Sequence, residues 1–202
     1  MVMRTLVHEV EELVSRVGTH PVWGYAHCRR VSGLARELAH AERLEYDGEI
    51  LHLAALLHDI GLYKAYNMRE APDHAERGAI VADRILKDAD FPPRARRVVV
   101  DAIRHHPPGS RPGSSVEAAL LKDAVALDYL GAVGLSRVLA MVGLEEEVPD
   151  LPAAIAHARS LHRTIPDLLL FESSRSIARE RTLEAEGFLE DLGRSTGGFK
   201  LL

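Results

Sequence analysis

The apolar run Leu51-His52-Leu53-Ala54-Ala55-Leu56-Leu57 ends in His58-Asp59 and is followed at once by Ile60-Gly61. A segment this rich in Leu and Ala gains by leaving water. An imidazole and a carboxylate carried into the same place lose hydration that only new partners can replace. A divalent metal ion satisfies both groups together. The chain must therefore fold so that other segments bring further ligands to the end of this helix.

The supporting segments read as helices. Val2, Leu6, Val10, Leu13 and Val17 recur at three- and four-residue steps until Gly18-Thr19-His20-Pro21 stops them. A second helix is expected over about 24–41, and a third over 49–60 with Gly61 as its C-cap. A loop over about 62–72 follows, then a helix from Asp73, its expected N-cap, to about Asp88. Phe91-Pro92-Pro93 opens a helix to about His106, with proline suited to the first turn. Pro107-Pro108-Gly109-Ser110-Arg111-Pro112-Gly113-Ser114-Ser115 is a loop by composition. Helices near 116–133, 151–162 and 173–192 complete an all-α chain without repeats or β-type alternation. The last of these carries Ile177, Leu183, Phe188 and Leu192; it completes the bundle or, alternatively, offers a homodimer surface.

Composition sets the outer bounds. With 202 residues, 47% of them hydrophobic, the chain can bury the core of a single domain. A net charge of -5 with 27% charged residues argues against a nucleic-acid groove or a polybasic membrane anchor. No apolar stretch reaches the roughly 18 residues of a membrane span. The first segment carries His8, Glu9, Glu11 and Glu12, unlike a secretory leader. Cys28 is the single cysteine, which rules out an internal disulfide and a cysteine-cluster zinc site. A reducing, cytoplasmic setting is the expectation.

The candidate ligands fall on the buried stripes of these helices. His27 is followed by Val31, Leu34 and Leu38, and His74 by Gly78, Val81 and Ile85, at the same helical offsets. Asp123 lines up with Leu120, Leu127 and Leu130, an unusual position for a carboxylate. His105 and His106 end the helix that buries Val98, Val99, Ala102 and Ile103. One inward histidine is ordinarily a hydrogen-bonded core residue. Several on different helices, with two carboxylates among them, point to a shared ion.

At this point the chain resembles the HD-domain superfamily of metal-dependent phosphohydrolases. His27, His58-Asp59 and Asp123 follow the family order H…HD…D. Leu53 to Gly61 looks like the family's core helix, Asp73-His74-Ala75-Glu76-Arg77-Gly78-Ala79 like its next helix start, and Ala102 to His106 and Asp123 to Gly134 like its later motifs. The likeness spans about 22–140 within a single HD domain of 1–202, helices over about 150–192 completing the bundle. Two departures stand out. Gly24-Tyr25 replaces an Asp-Trp pair found in many small relatives, and Val125-Ala126 removes an acidic and a basic group after Asp123-Ala124.

The resemblance implies an all-α bundle with His27, His58, Asp59 and Asp123 holding an ion at its centre. A second ion at His74 with His105 or His106, bridged by Asp59, is the open alternative. Imidazole and carboxylate donors without thiolate suit Mn²⁺, Fe²⁺, Co²⁺, Ni²⁺, Zn²⁺ or Mg²⁺. The implied activity is hydrolysis of a phosphate ester or anhydride of a small soluble substrate, a nucleotide by preference, through a metal-activated water. Asp59 and Glu76 are the candidate catalytic groups. Lys64, Arg30 and Arg104 are the candidate phosphate contacts, and Arg69 and Arg111 lie in loops suited to specificity. Two other classes stay open: a di-iron oxygenase on the same fold, and a non-catalytic ligand-binding HD module.

Overall fold

The computed structural model describes residues 2–66, 73–146 and 148–202, with side chains from Leu6 onward. Among these residues it holds nine α-helices and no strand, grouped into two compact units, Met1–Val125 and Ala126–Leu202. The first unit contains α1 (Val2–Val17), α2 (Tyr25–Ala41), α3 (Gly48–Leu57), α4 (His74–Asp88) and α5 (Pro93–Arg104), and α6 (Val116–Leu127) crosses the boundary. Helix α3 is apolar apart from Glu49 and His52 and is accordingly the central element, packed on α1, α2 and α5. Every residue from Leu53 to Leu57 is fully buried. Asp47 starts this helix by accepting from the Glu49 and Ile50 N–H groups at 3.0 and 3.1 Å. The Asp47 N–H donates to buried Glu117 on α6 at 2.8 Å, which fixes the start of α3 against that helix.

Helix α3 stops earlier than its pattern suggests. It ends at Leu57 with His58 as C-cap, and Ile60–Leu62 form a separate 3₁₀ turn. Gly61 is not a left-handed cap, since its φ is not positive. Its lack of a side chain serves a close approach. A Cβ on Gly61 would lie 2.5 Å from the His74 carbonyl and 2.6 Å from the Gly78 nitrogen, and one on Gly78 would lie 2.8 Å from the His58 carbonyl. These two glycines let α4 settle onto the turn that carries His58-Asp59, and His74 sits one helical turn ahead of Gly78. Gly78→Ala is therefore expected to destabilise the fold by about 1–3 kcal/mol through overpacking against backbone. Denaturant unfolding measures this, and an unchanged midpoint would show that the approach is looser than these distances.

Asp73 caps α4 as expected, accepting from the Glu76 N–H at 2.8 Å, and Pro93 opens α5. The Pro/Gly/Ser loop is tied at both ends. Asp101 accepts from the Ser114 N–H and hydroxyl at 2.7 and 2.9 Å. The buried Lys122 amine donates to the Pro107 carbonyl at 2.9 Å and to that of Pro108. Arg111 is exposed on this loop. Arg69, and the part of the expected 62–72 loop from residue 67 on, lie outside the described residues.

The single helix expected over 116–133 is instead two. Helix α6 ends at Leu127, Leu130 is extended, Gly131 takes a φ of +70°, and α7 runs Gly131–Leu139. Asp128 supplies a reason for the break: its buried carboxylate meets Arg137 of α7 at 3.0 Å, and its carbonyl accepts from the same guanidinium at 3.0 Å. The second unit continues with α8 (Leu151–Thr164) and α9 (Glu172–Ser195) around Leu135, Val138, Val148, Ile155 and Leu189. On α9 the inward residues include Ala178, Ala185 and Leu189, whereas Leu183 and Phe188 are exposed. None of the described helices is long and apolar enough to cross a membrane.

Candidate metal centre

Side chains from α2 and α4, from the turn after α3 and from the segment just past α5 converge on Asp59. His27 Nε2 and His58 Nε2 lie 3.1 Å apart, and each faces Asp59 Oδ2, at 3.4 and 3.3 Å. On the other side, His74 Nε2 and His106 Nε2 are 3.3 Å apart, and His106 Nε2 is 3.7 Å from Asp59 Oδ1. Two three-residue groups result among the described residues, His27/His58/Asp59 and Asp59/His74/His106, with Asp59 common to both. All of these side chains are buried except that of His74, which is half-buried. Asp123 is fully buried on α6 and is not part of either three-residue group.

Two of the imidazoles are oriented by the backbone at helix ends. His58 Nδ1 lies 2.8 Å from the Ala55 carbonyl and His106 Nδ1 2.6 Å from that of Ile103, each three residues back in the chain. A carbonyl only accepts, so Nδ1 must carry the proton, and the Nε2 lone pair of the neutral ring is turned into the site. The carbonyls are among those that every helix C-terminus leaves unpaired. Ligand orientation and helix capping are thus one contact. These two backbone acceptors were not singled out from sequence; the only available signal was that both histidines end helices.

Imidazole nitrogens 3.1–3.3 Å apart need a proton or a metal cation between them. In the metal-free protein a proton fills part of that role. Burial works against a charge on His58, yet the Asp59 carboxylate outweighs it and holds the imidazole well above its ordinary value. Burial likewise opposes ionised Asp59, while His58 and His27 hold its carboxyl well below the usual range. Burial, with His58 adding to it, pushes His106 down to about 3, so that ring stays neutral as a donor must. This donor set fits a divalent cation, with imidazole nitrogens on both sides and a carboxylate oxygen for each.

The remaining predicted residues separate into groups. His105 is turned away from His106 and bonds Asp101, with Nδ1 3.1 Å from Oδ1 and 2.9 Å from the Asp101 carbonyl. Glu76 and Arg104 engage each other in a two-pronged pair at 2.6 and 3.0 Å, and the guanidinium holds the Glu76 carboxyl below its ordinary value. That pair links α4, which carries His74, to the last residue of α5, two positions before His106. Lys64 is exposed, and Arg30 is half-buried on α2. Tyr63 adjoins the centre through Cys28: its hydroxyl is 3.4 Å from Cys28 Sγ and donates to the Trp23 carbonyl at 3.2 Å.

Comparison with known proteins identifies similar chains. The family model described as HD domain matches residues 24–130. Among solved structures, Bacillus subtilis YpgQ in complex with ADP is 24% identical, with a TM-score of 0.73 and coverage of 96% of this chain and 97% of that one. A predicted HD superfamily hydrolase from an uncultured Thermotogales bacterium is 25% identical, with a TM-score of 0.65 over 95% and 91% of the two chains. An HD-superfamily hydrolase from Bacillus thuringiensis is 22% identical, with a TM-score of 0.71 over 96% and 98%. No curated protein matches the sequence.

Proposed function

The chain belongs to the HD domain family, and from that membership we propose that it hydrolyses a phosphate ester or anhydride of a small soluble substrate, a nucleotide by preference. The observation that carries the reading is the placement of the Asp59 carboxylate between two histidine groups, one oxygen toward each. His27, His58, Asp59 Oδ2 and Asp123 would hold one divalent ion, and Asp59 Oδ1, His74 and His106 a second. Such ions supply an activated water and neutralise charge on phosphate. Arg30, three residues after His27 on α2, and Lys64 add cationic contacts for the phosphate oxygens. The Glu76–Arg104 pair positions the two segments that bear His74 and His106. Helix α9, with Leu183 and Phe188 exposed, is the surface on which a homodimer would form.

The nucleotide preference takes support from the ADP complex of the structural neighbour YpgQ. A screen of nucleotides and sugar phosphates with Mn²⁺, Mg²⁺, Co²⁺, Ni²⁺ and Fe²⁺ tests it. Metal-dependent release of phosphate or pyrophosphate from nucleotides is expected, and no turnover with any metal would refute the reading. The second histidine group also meets the ligand requirement of a di-iron oxygenase. Oxygen consumption by iron-loaded protein, without phosphate release, would decide for that chemistry.

A further inference from the structure

A cavity of about 540 Å³, of the size that holds small ligands, is lined by residues close in sequence to His27 and Asp59. Its walls include the end of α1 at Val17 and the two chain segments that adjoin metal ligands in sequence. Thr19, His20 and Trp23 come from the stretch leading into α2 and His27, and Leu62, Tyr63 and Lys64 from the stretch leaving Asp59. The Leu62 N–H donates to the Asp59 carbonyl at 2.9 Å, and Tyr63 joins both stretches through its bonds to the Trp23 carbonyl and Cys28. Tyr63 thus lines the cavity and also touches Cys28, the sequence neighbour of His27.

The cavity has an aromatic platform. The His20 and Trp23 rings stack with centroids 3.6 Å apart and planes within 6°. His20 Nδ1 accepts from the Val22 N–H at 3.2 Å, which holds the imidazole in place under the indole. Trp23 is half-buried, and Lys64, five residues after Asp59, lines the cavity with an exposed side chain. A planar platform and an exposed cation, carried by segments that lead to His27 and away from Asp59, match a ligand with a flat heterocycle at one end and phosphates at the other.

We propose that this cavity binds the heteroaromatic base of the substrate, stacked on the Trp23–His20 pair, with the phosphates directed past Lys64 toward Asp59. The phosphate end rests on the hydrolase reading above; the base end rests on the cavity alone. Stacking reads a ring face rather than its hydrogen-bonding edge, so purine and pyrimidine nucleotides should be accepted with similar affinity.

Trp23 is the only tryptophan, so its fluorescence reports on the cavity directly. In the intact protein, adenosine should quench it saturably, whereas ribose 5-phosphate and inorganic pyrophosphate should not. Trp23→Leu should raise KM for a nucleotide about tenfold, within the ~1–3 kcal/mol attributed to stacking, and leave kcat within about twofold. Ribose 5-phosphate turnover should be unaffected by this variant. Nucleotide hydrolysis without any fluorescence response to adenosine would overturn the cavity assignment and leave the hydrolase reading standing. Quenching by adenosine without hydrolysis of any phosphorylated compound would support the cavity assignment and count against the hydrolase reading.

Discussion

Asp59→Asn should lower kcat/KM for phosphate hydrolysis by roughly a thousandfold or more, the loss of several kcal/mol of transition-state stabilisation. The amide has nearly the same volume, so the packing around α3 should survive and circular dichroism should be unchanged. It lacks the negative charge and the second oxygen acceptor that let Asp59 face His27 and His58 on one side and His106 on the other. It also removes the field that keeps His58 protonated in the metal-free protein, leaving burial to favour the neutral ring. Bound metal, measured by elemental analysis after gel filtration, should fall together with activity. Wild-type metal content and turnover in this variant would sink the assignment of Asp59 as the shared ligand.

Most of this centre was legible because helices preserve phase. His27 and His74 sit on apolar stripes whose period is fixed by the residues that follow them, whereas Asp123, flanked by leucines and buried on α6, joins neither group. The pattern fails where helices end. Helix α5 stops at Arg104, so His105 and His106 lie beyond the region where 100° per residue holds, and sequence could not choose between them. Backbone made the choice: His106 takes the Ile103 carbonyl and faces Asp59, while His105 takes that of Asp101. Gly61 misled for a related reason. A glycine after an apolar helix ordinarily signals a left-handed cap, but here the constraint is His74 and Gly78 pressing against it from a distant part of the chain. The mutual engagement of Glu76 and Arg104 spans two helices, and no local pattern announces it.

Removing the metal should cost stability as well as activity, and the cost should depend on pH in a defined direction. At a free ion concentration about a hundredfold above Kd, binding stabilises the native state by ~2.7 kcal/mol, a fall in Tm of roughly 5–10 °C on chelation for a chain of this size. His58 has a raised value in the metal-free fold, so an ion must displace its proton, and acid therefore weakens binding. The same raised value means that protonated His58 contributes to metal-free stability fully below its unfolded value near 6.5, and that this contribution is lost as pH rises toward the folded value. Asp59 acts oppositely: its lowered value contributes above about 4 and is lost only in stronger acid, outside the working range. These are one linkage seen from two sides, and the single His58 proton that the ion displaces widens the difference between loaded and stripped protein toward alkaline pH. Differential scanning fluorimetry with and without chelator, at about pH 6, 7 and 8, should show a Tm gap that grows with pH. A gap that is constant, or that grows toward acid, would mean that the ion does not compete with the His58 proton and that the pair is not its ligand.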